Sequence, residues 1–336
     1  METLFPHNPE LRRRQSYAFF ESSHREQRAY IDDAVRALPE ALKNEALAAF
    51  KNLEPERPRC LGDSLFPGDS FDLGPWYAGI GDSGAIVSLQ DHNGRELAAP
   101  VTGIGEFVYQ TFSYEDYVRY QRDYNRDMDR NINWAGPDFG KPGMQYAQPR
   151  PLRQRYRAHV RALYRTKNSS PDFDEVTVSL GVSAKDPRGA PQKLSIRYRA
   201  YTDPVRLEVT LDWFDKEATR LPEAMWLSFN FNTAIPGRWR FSKLGALIDP
   251  LNVVRGGNRS YHGIEWAEYH GYDGAIRITP LDTPLAALGE RKLLCFDDCF
   301  ENPAGGIHFN LYNNIWGTNF PQWYEEDGRS RFSITF

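Results

Sequence analysis

Two hydrophobic periodicities divide the chain into a helical part and a larger β part. Between Leu11 and Leu53 apolar side chains recur three and four residues apart, while Arg, Glu and Lys occupy the remaining positions. The apolar positions are Ile31, Val35, Leu38, Leu42, Ala46, Ala49 and Phe50. Pro39 falls inside this pattern, so we predict two helices, with Pro39 in the first turn of the second. A segment rich in proline follows from Leu53 to Pro67 and predicts the crossover into the β part.

From Phe71 onward the pattern has a period of two and is interrupted by Gly and Pro, which is typical of strands joined by turns. The predicted strands include Trp76–Ile80, Val205–Trp213, Val253–Val254 and Lys292–Phe296. Tyr114–Tyr124 is polar and aromatic-rich, and Ser113 before it predicts a capped short helix over the sheet or beside a pocket. Because helices do not otherwise alternate with the strands, we predict a mainly β fold of antiparallel sheets stacked face to face. The expected organisation is a helical segment and linker over residues 1–60 and a β domain over residues 61–336.

The most informative stretch is the run GGIHFNLYNNIWGTNFPQWY, residues 305–324. Ile307, Phe309 and Leu311 alternate with more polar side chains, which predicts a strand with one apolar and one polar face. After this strand the alternation fails, and residues typical of turns follow. The candidate ligand-binding residues of the run are Asn310, Asn313, Asn314, Trp316, Asn319 and Trp323, and the candidate catalytic residue is His308.

These side chains suit a sugar or another flat polyhydroxylated ligand. Indole rings cover C–H faces, and carboxamides both donate and accept hydrogen bonds to hydroxyl groups. The alternative is a structural corner, in which the amides hold loop backbones together and the indoles fill one end of a β-sandwich. For His308 the corresponding alternative is a structural imidazole. The composition of the run leaves both interpretations open.

A second group of candidates lies within residues 262–270. Residues two apart share a face of a strand, so Trp266, Glu268 and His270 are predicted to point the same way. Glu268 and His270 are candidate catalytic residues, because a carboxyl and an imidazole on one face bring two titratable groups together. His262 and Trp266 are candidate ligand-binding residues. The alternative is an exposed strand face with a packed indole.

A third group lies in Asn131–Pro151, a long segment rich in turn-forming residues and without clear periodicity. Long ordered loops of this kind often carry function, so this segment is predicted to be a functional loop. Asp138 is a candidate catalytic residue, and Lys141 is a candidate ligand-binding residue.

Composition narrows the classes of function. The formal net charge of −4 argues against a nucleic-acid-binding protein or one that binds anionic membranes, since both need a concentrated cationic surface. Three cysteines are too few for a disulfide framework and favour a reducing compartment. No apolar signal segment or membrane-spanning run is visible, so we expect a soluble, cytoplasmic protein. Motifs for phosphate loops, nucleotide cofactors and metal ligands are absent, so neither a cofactor nor a metal site is predicted.

Four separated blocks of the sequence resemble the DUF5054 proteins, in the order in which that family carries them. The blocks are PDFGKPG (137–143), RLPEAMWLSF (220–229), KLGALIDPLNVVRGGNRSYH (243–262) and HFNLYNNIWGTNFPQW (308–323). The resemblance extends from near Glu26 to the C-terminus. That family is grouped with glycoside hydrolase family 38, the α-mannosidase-like enzymes. The resemblance implies a galactose-mutarotase-like β-supersandwich preceded by a short helical segment.

The resemblance implies no catalytic machinery for this chain. In the α-mannosidase-like enzymes the catalytic aspartate and the zinc ligands belong to an N-terminal (β/α) barrel, and no residue here matches that barrel. Three explanations stay open: a part that works with a separate catalytic barrel subunit, a stand-alone carbohydrate-binding module, or a stand-alone descendant with new chemistry. We therefore expect a carbohydrate-active protein that binds a glycan or sugar-like ligand. The alternative is a cofactor-independent cyclase or isomerase of small-molecule metabolism that uses an aromatic pocket.

Overall fold

The N-terminal part of the protein forms two helices ahead of the sheets. A computed structural model describes residues 17–58, 62–166, 170–183, 189–317 and 322–336. Helix α1 spans Tyr17–Ala37 and helix α2 spans Glu40–Leu53. Pro39 immediately precedes α2 with φ of −55°, a value that its ring fixes and that suits the start of a helix. The predicted division of the helical tract at this proline is confirmed, but Pro39 is the residue that precedes α2 and not part of its first turn.

The rest of the chain is dominated by antiparallel strands. Their bounds are β1 Asp63–Leu65, β2 Ser70–Leu73, β3 Trp76–Ile80, β4 Ile86–Gln90, β5 Ile104–Thr111, β6 Gln154–Thr166, β7 Phe173–Val182, β8 Lys193–Thr202, β9 Val205–Phe214, β10 Glu223–Phe229, β11 Trp239–Lys243, β12 Ala246–Ile248, β13 His262–Gly263, β14 Trp266–Gly271, β15 Gly274–Pro280, β16 Leu285–Leu288, β17 Ile307–Asn313 and β18 Gly328–Thr335. Two further helices, α3 at Tyr114–Tyr124 and α4 at Met128–Asp138, lie between β5 and β6. The prediction of a mainly β fold of antiparallel sheets with an N-terminal helical segment is confirmed.

The strands form two sheets that share one strand. The long sheet has the order β1, β6, β7, β8, β9, β18, β15, β14, β11, β12. The short sheet has the order β2, β3, β4, β5, β10, β17, β16, β13. Strand β6 belongs to both sheets, because its residues 154–157 pair with β5 and its residues 158–166 pair with β7.

Aromatic contacts between the sheets mark the centre of the sandwich. Phe332 of the long sheet lies with its ring centroid 4.8 Å from that of Phe229 and 4.8 Å from that of Phe309, both of the short sheet. All three side chains are fully buried. A second apolar cluster lies on the outer face of the short sheet, where Trp226 and Val108 pack beneath Tyr117 of α3 and other residues. Helix α3 therefore covers the short sheet from outside.

Three local predictions differ from the structure. Residues 253–254 and 292–296 form no strand, although both contain adjacent apolar side chains, and the extra strand in this region is β16. Part of Asn131–Pro151 belongs to helix α4 rather than to a loop. This helix carries Pro137 in its last turn, and Asp127, the residue before it, makes no side-chain capping hydrogen bond. Its sequence therefore lacks the usual helix signals.

Among the described residues, no helix is both long enough and apolar enough to cross a bilayer.

Candidate functional site

Helix α3 is fixed at its N-terminus by the cap that the sequence predicts. Ser113 and Asp116 exchange backbone and side-chain hydrogen bonds in a capping box. The buried Asp116 carboxylate also accepts from Arg119 at 2.7 Å and from Arg153 at 2.9 Å. Burial acts to raise the pKa of Asp116, but the Ser113 backbone N–H and the two guanidinium groups outweigh it and lower the pKa. The helix therefore begins at a charged, rigid anchor.

Helix α3 carries two neighbouring stripes of side chains, and each stripe lines a cavity. Tyr114, Tyr117 and Gln121 line the first, which we call the Lys141 cavity. It has a volume of about 430 Å³. Its other lining side chains include Ile132 and Asn133 of α4 and Lys141, Gln145 and Tyr146 of the segment after α4. The second stripe, Tyr120 and Tyr124, faces a separate cavity.

The C-terminal run of the sequence holds the wall of the Lys141 cavity in place. The N–H of Gly317 donates to the carbonyl oxygen of Asp138 at 3.1 Å. The Tyr117 hydroxyl donates to the carbonyl oxygen of Ile315 at 2.7 Å. The PDFGKPG block and the Asn- and Trp-rich run, separated by more than a hundred residues, thus meet at one site.

Lys141 is the most unusual group in this cavity. It is only 3% exposed, and its Nζ has no hydrogen-bond partner among the described residues. Burial, together with the nearby charge of Arg220, lowers the pKa of Lys141 to about 7, although the Glu223 carboxylate acts in the opposite direction. An amine with this pKa is present in both protonation states near neutral pH, which is the condition for proton transfer.

A buried ion pair lies near Lys141. Glu223 accepts hydrogen bonds from Lys216 Nζ at 2.6 Å and from the Tyr109 hydroxyl at 2.6 Å. The Tyr109 oxygen in turn accepts from the N–H of Gly189 at 3.2 Å. Burial raises the pKa of Glu223, while Lys216, Tyr109 and Lys141 act to lower it. The cluster places one carboxylate among several donors, so that this charge is compensated inside the fold.

The second cavity, which we call the Trp316 cavity, is smaller and more aromatic. Its volume is about 220 Å³. The ring of Tyr120 stacks on that of Tyr124 with centroids 5.2 Å apart and tilts against that of Trp316 at 5.5 Å. Cys295, a free and half-buried cysteine, also lines it. Of the ligand-binding residues predicted in the C-terminal run, Trp316 thus lines this cavity.

The asparagines of the run mainly hold backbone together. Asn314 Nδ2 donates to the carbonyl oxygens of Thr219, Leu221 and Gln322 at 2.9, 3.1 and 3.0 Å. Its Oδ1 accepts from the N–H of Glu223 at 2.8 Å. Asn314 is buried and both of its Nδ2 hydrogens are engaged, so its amide has no donor left for a ligand. Here the structural interpretation is favoured over ligand binding.

The other candidate residues of the run, as far as the structure describes them, also contact the protein itself. Asn310 is buried and donates to the carbonyl oxygen of Met225 at 3.2 Å, and Asn313 donates to Asn310 Oδ1 at 2.6 Å. Trp323 is buried, with the guanidinium of Arg220 5.7 Å from its ring centroid. Asn319 lies outside the described residues. Neither Asn310, Asn313 nor Trp323 lines the Lys141 cavity or the Trp316 cavity.

His308 lies in a buried polar network and lines neither the Lys141 cavity nor the Trp316 cavity. Its Nδ1 is 2.9 Å from Ser228 Oγ, which also accepts from Arg291 Nε at 3.0 Å. Because an arginine N–H can only donate, the serine hydroxyl is left to donate to Nδ1. Burial and the charge of Arg291 lower the pKa of His308 well below its usual value. The imidazole is therefore neutral and shielded, and its position favours a structural role over the predicted catalytic one.

Glu268, His270 and Trp266 do share a strand face, as predicted. Glu268 accepts from Trp266 Nε1 at 3.0 Å and from Arg277 at 2.8 Å, and it is 3.3 Å from His270 Nε2. Burial acts to raise the pKa of Glu268, but the bonds from Arg277 and Trp266 lower it. His270 is exposed, and this cluster lines neither cavity. The arrangement is nearer to the alternative of an exposed strand face with a packed indole, although Glu268 itself is buried.

His262 and Asp138, two further predicted site residues, do not line the Lys141 cavity. His262 is buried on β13 with its ring 5.5 Å from that of Phe241, and burial, aided by the charge of Lys243, lowers its pKa to about 4. Asp138 contributes its carbonyl oxygen to Gly317 and is not among the residues that line the Lys141 cavity. Of the predicted site residues, the structure thus places Lys141 and Trp316 at cavities.

Sequence reasoning missed several residues that build the site. The sequence predicts the stripe of α3 facing Lys141 as part of a helix over the sheet or beside a pocket, but it does not identify Tyr117 and Gln121 as cavity-lining residues. The helical spacing of the aromatic residues in Tyr114–Tyr124 is a signal that points to them. Lys216 and Glu223 carry no such signal, because their proximity depends on packing between distant segments. Among the described residues, no three His, Cys, Asp or Glu side chains come together as a metal-binding group.

The fold and the site define an antiparallel β-sandwich protein with a ligand-sized cavity under a capped helix. By sequence, the chain belongs to the family described as "Domain of unknown function (DUF5054)", which it matches over residues 7–208. Three of the four blocks that resemble that family therefore lie beyond the matched region. No curated protein sequence is similar to the chain.

Several solved structures are similar to the chain at low sequence identity. The Slr1438 protein from Synechocystis sp. PCC 6803 is 10% identical with a TM-score of 0.36, and the alignment covers 82% of this chain and 99% of that one. A galactose mutarotase-like protein from Lactobacillus casei is 10% identical with a TM-score of 0.40, covering 81% and 99%. A 4-alpha-glucanotransferase from Thermococcus litoralis is 10% identical with a TM-score of 0.31, covering 85% and 40%.

Proposed function

We propose that the protein binds a sugar-like, polyhydroxylated small molecule in the Lys141 cavity. The observation that carries this proposal is the combination of volume and lining. About 430 Å³ lies within the range of small-molecule sites, and the wall combines tyrosine rings with carboxamides and one buried amine. This ligand class corresponds to the one expected from the sequence, although most of the residues that would contact it are different.

The chemistry of the wall matches hydroxyl-rich ligands. Tyr114 and Tyr146 offer aromatic faces for C–H groups together with phenolic hydroxyls. Gln121, Asn133 and Gln145 offer both donors and acceptors, as a ring of hydroxyl groups requires. Lys141 adds a buried donor that lacks a partner in the free protein, and a ligand hydroxyl would supply one.

The relation to glycoside hydrolase family 38 is part of the same proposal. It rests on the sequence blocks described above, and it implies a binding protein derived from enzymes whose zinc chemistry belongs to another domain. A separate catalytic barrel subunit is the partner that this relation would add. The binding proposal does not depend on that partner, because the Lys141 cavity is formed by this chain itself.

Isothermal titration calorimetry with a panel of neutral monosaccharides and disaccharides tests the proposal. We expect saturable binding of at least one sugar, which Gln121→Ala and Tyr146→Ala weaken. Both side chains line the cavity, and neither is fully buried, so the fold should tolerate both changes. Tyr272→Ala is the matched control, since Tyr272 is 83% exposed and lies away from the cavity. Binding that both cavity variants leave unchanged would place the ligand elsewhere.

A second candidate function is cofactor-independent proton transfer in an isomerase or cyclase. The specific observation that favours it is the pKa of Lys141, which burial brings to about 7. A neutral lysine at this pH can accept a proton from a bound substrate and return it as an ammonium group. If Lys141 is the base, the turnover of a substrate will follow its titration near pH 7, and Lys141→Met will abolish that turnover while preserving the fold.

A further inference from the structure

A cluster of four arginines lies on the outer face of the long sheet: Arg197, Arg199, Arg329 and Arg331. None of them lines the Lys141 cavity or the Trp316 cavity. In the strand register, Thr210 of β9 lies between Arg197 of β8 and Arg331 of β18. Side chains at directly paired positions point to the same face of a sheet. A hydroxyl group therefore lies between two guanidinium groups, beside a cavity of about 320 Å³ that all three residues line.

A buried carboxylate orients two of the arginines. Asp212, the next outward-facing residue of β9, accepts from Arg329 Nε at 2.7 Å and from Arg197 Nη2 at 3.3 Å. Asp212 is fully buried, and the Arg329 and Arg197 side chains are only 7% and 14% exposed. The two guanidinium groups are thus held at the floor of the cavity by one carboxylate.

These two arginines have donors that the protein leaves unused. Arg197 Nε and Arg329 Nη2 are both buried and make no hydrogen bond within the part of the chain that the structure describes. The other two arginines of the cluster differ, because Arg199 pairs with Glu175 at 2.7 Å and Arg331 pairs with Asp282 at 2.8 Å. A buried donor without a partner is costly, so an acceptor entering the cavity would relieve a cost already present in the free protein.

One carboxylate of the protein already approaches this position from outside. Glu56, in the linker after α2, is 3.0 Å from Arg197 Nη1 and 3.9 Å from Arg329 Nη2. The Glu56 side chain is nevertheless 67% exposed. Partial burial acts to raise the pKa of Glu56, but Arg197, with a further contribution from Arg329, lowers it. The C-terminal turn of α2, just before this linker, is held to the cluster by Arg329, whose Nη1 donates to the carbonyl oxygen of Asn52 at 3.2 Å.

We propose that the arginine cluster is a binding site for a phosphate or sulfate group and that Glu56 is its intramolecular competitor. A tetrahedral oxyanion presents acceptors in several directions, which suits guanidinium groups that approach from β8 and β18 together with the Thr210 hydroxyl. The single carboxylate of Glu56 satisfies only part of this set, since it lies within hydrogen-bond distance of Arg197 but not of Arg329. Glu208, which also lines the cavity, already accepts from Arg206 and Tyr201.

Removal of the competitor tests this proposal with a gain of binding. Isothermal titration of the full chain with inorganic phosphate, and separately with inorganic sulfate, is done in a low-salt chloride buffer so that screening is small. Because an exposed ion pair contributes at most about 1 kcal/mol, Glu56→Gln is expected to tighten binding about two- to fivefold. The exposure of Glu56 makes a folding defect in this variant implausible.

The matched control is Glu54→Gln, two residues away in the same segment. Glu54 is exposed and makes none of the ion pairs of the cluster, so this variant changes the net charge equally but removes no competitor. Thr210→Val should weaken binding in either background, because it removes the central hydroxyl. The proposal is overturned if neither anion binds saturably, or if Glu56→Gln and Glu54→Gln bind with equal affinity. A difference between the phosphate and sulfate titrations identifies the preferred group.

Discussion

The backbone of Gly317 lies directly against the carbonyl oxygen of Pro137, so that a Cβ on this glycine would be 2.0 Å from that oxygen. The contact joins the C-terminal run to the segment that carries Lys141. It explains why a glycine interrupts the aromatic sequence at this point, since any side chain would push the two segments apart.

Gly317→Ala is therefore expected to destabilise the protein by about 2 kcal/mol or more, because the new methyl group overlaps backbone that cannot move freely. Urea denaturation followed by tryptophan fluorescence measures the change. Gly263→Ala is the control, since a Cβ at Gly263 has no atom within 4 Å. Equal stabilities of the two variants would contradict the tight contact.

The titration of Lys141 makes a prediction about stability at alkaline pH. Its pKa is about 7 in the folded state, against an ordinary value of 10.5, so the unfolded chain binds more protons between these values. The free energy of unfolding should therefore rise with pH across this window, by about 2 kcal/mol from pH 7 to pH 9. Lys141→Met should remove this rise, because the titrating group is gone. Lys193→Met, at a side chain that is 61% exposed, should keep it.

The buried histidine His262 predicts a pH dependence of the same sign, but in the acid range. Burial lowers its pKa to about 4, so the unfolded chain binds more protons between that value and the ordinary 6.5. The stability contributed by the neutral imidazole is complete above pH 6.5 and should fall by about 2 kcal/mol between pH 8 and pH 5. In denaturant titrations at both pH values, His262→Gln should lose less stability on acidification than the wild type. His92→Gln, at an exposed position, should behave as the wild type does.

The four hydrogen bonds of Asn314 predict a structural phenotype. Asn314→Ala leaves three part-buried backbone carbonyl oxygens and the buried N–H of Glu223 without this partner, so we expect a loss of about 3 kcal/mol in the free energy of unfolding. Asn252→Ala, at an exposed position, should change it by less than about 0.5 kcal/mol. A neutral Asn314→Ala variant would remove the basis for assigning this amide to the fold.

Local signals in the sequence were sufficient for much of the architecture. Ser113 predicts the start of α3 because its capping partner is only three residues away, and the period of two predicts β9 because the burial of a strand repeats with its pleat. The prediction of a strand at residues 292–296 is wrong, because an apolar run does not distinguish a strand from a buried loop.

The candidate site was only partly predictable, for reasons that lie in tertiary packing. The sequence indicates Lys141 through the turn-rich segment that carries it. The pKa of its amine is lowered by burial and by the charge of Arg220, and no local sequence pattern encodes either cause. The amides of Asn310 and Asn314 have the composition of a ligand site. Whether they bind a ligand or the backbone depends on the neighbouring strand. In this fold both amides are hydrogen bonded to the backbone of β10.

Strand β6 has a mechanical consequence for the two proposed binding surfaces. Its first residues are hydrogen bonded into the sheet that supports α3, and its later residues into the sheet that carries the arginines. Sliding of one layer over the other would require this continuous strand to bend near Arg157, with loss of pairing on one side or the other. The two surfaces are therefore linked through one continuous strand, and neither sheet can shift past the other while β6 keeps both sets of hydrogen bonds.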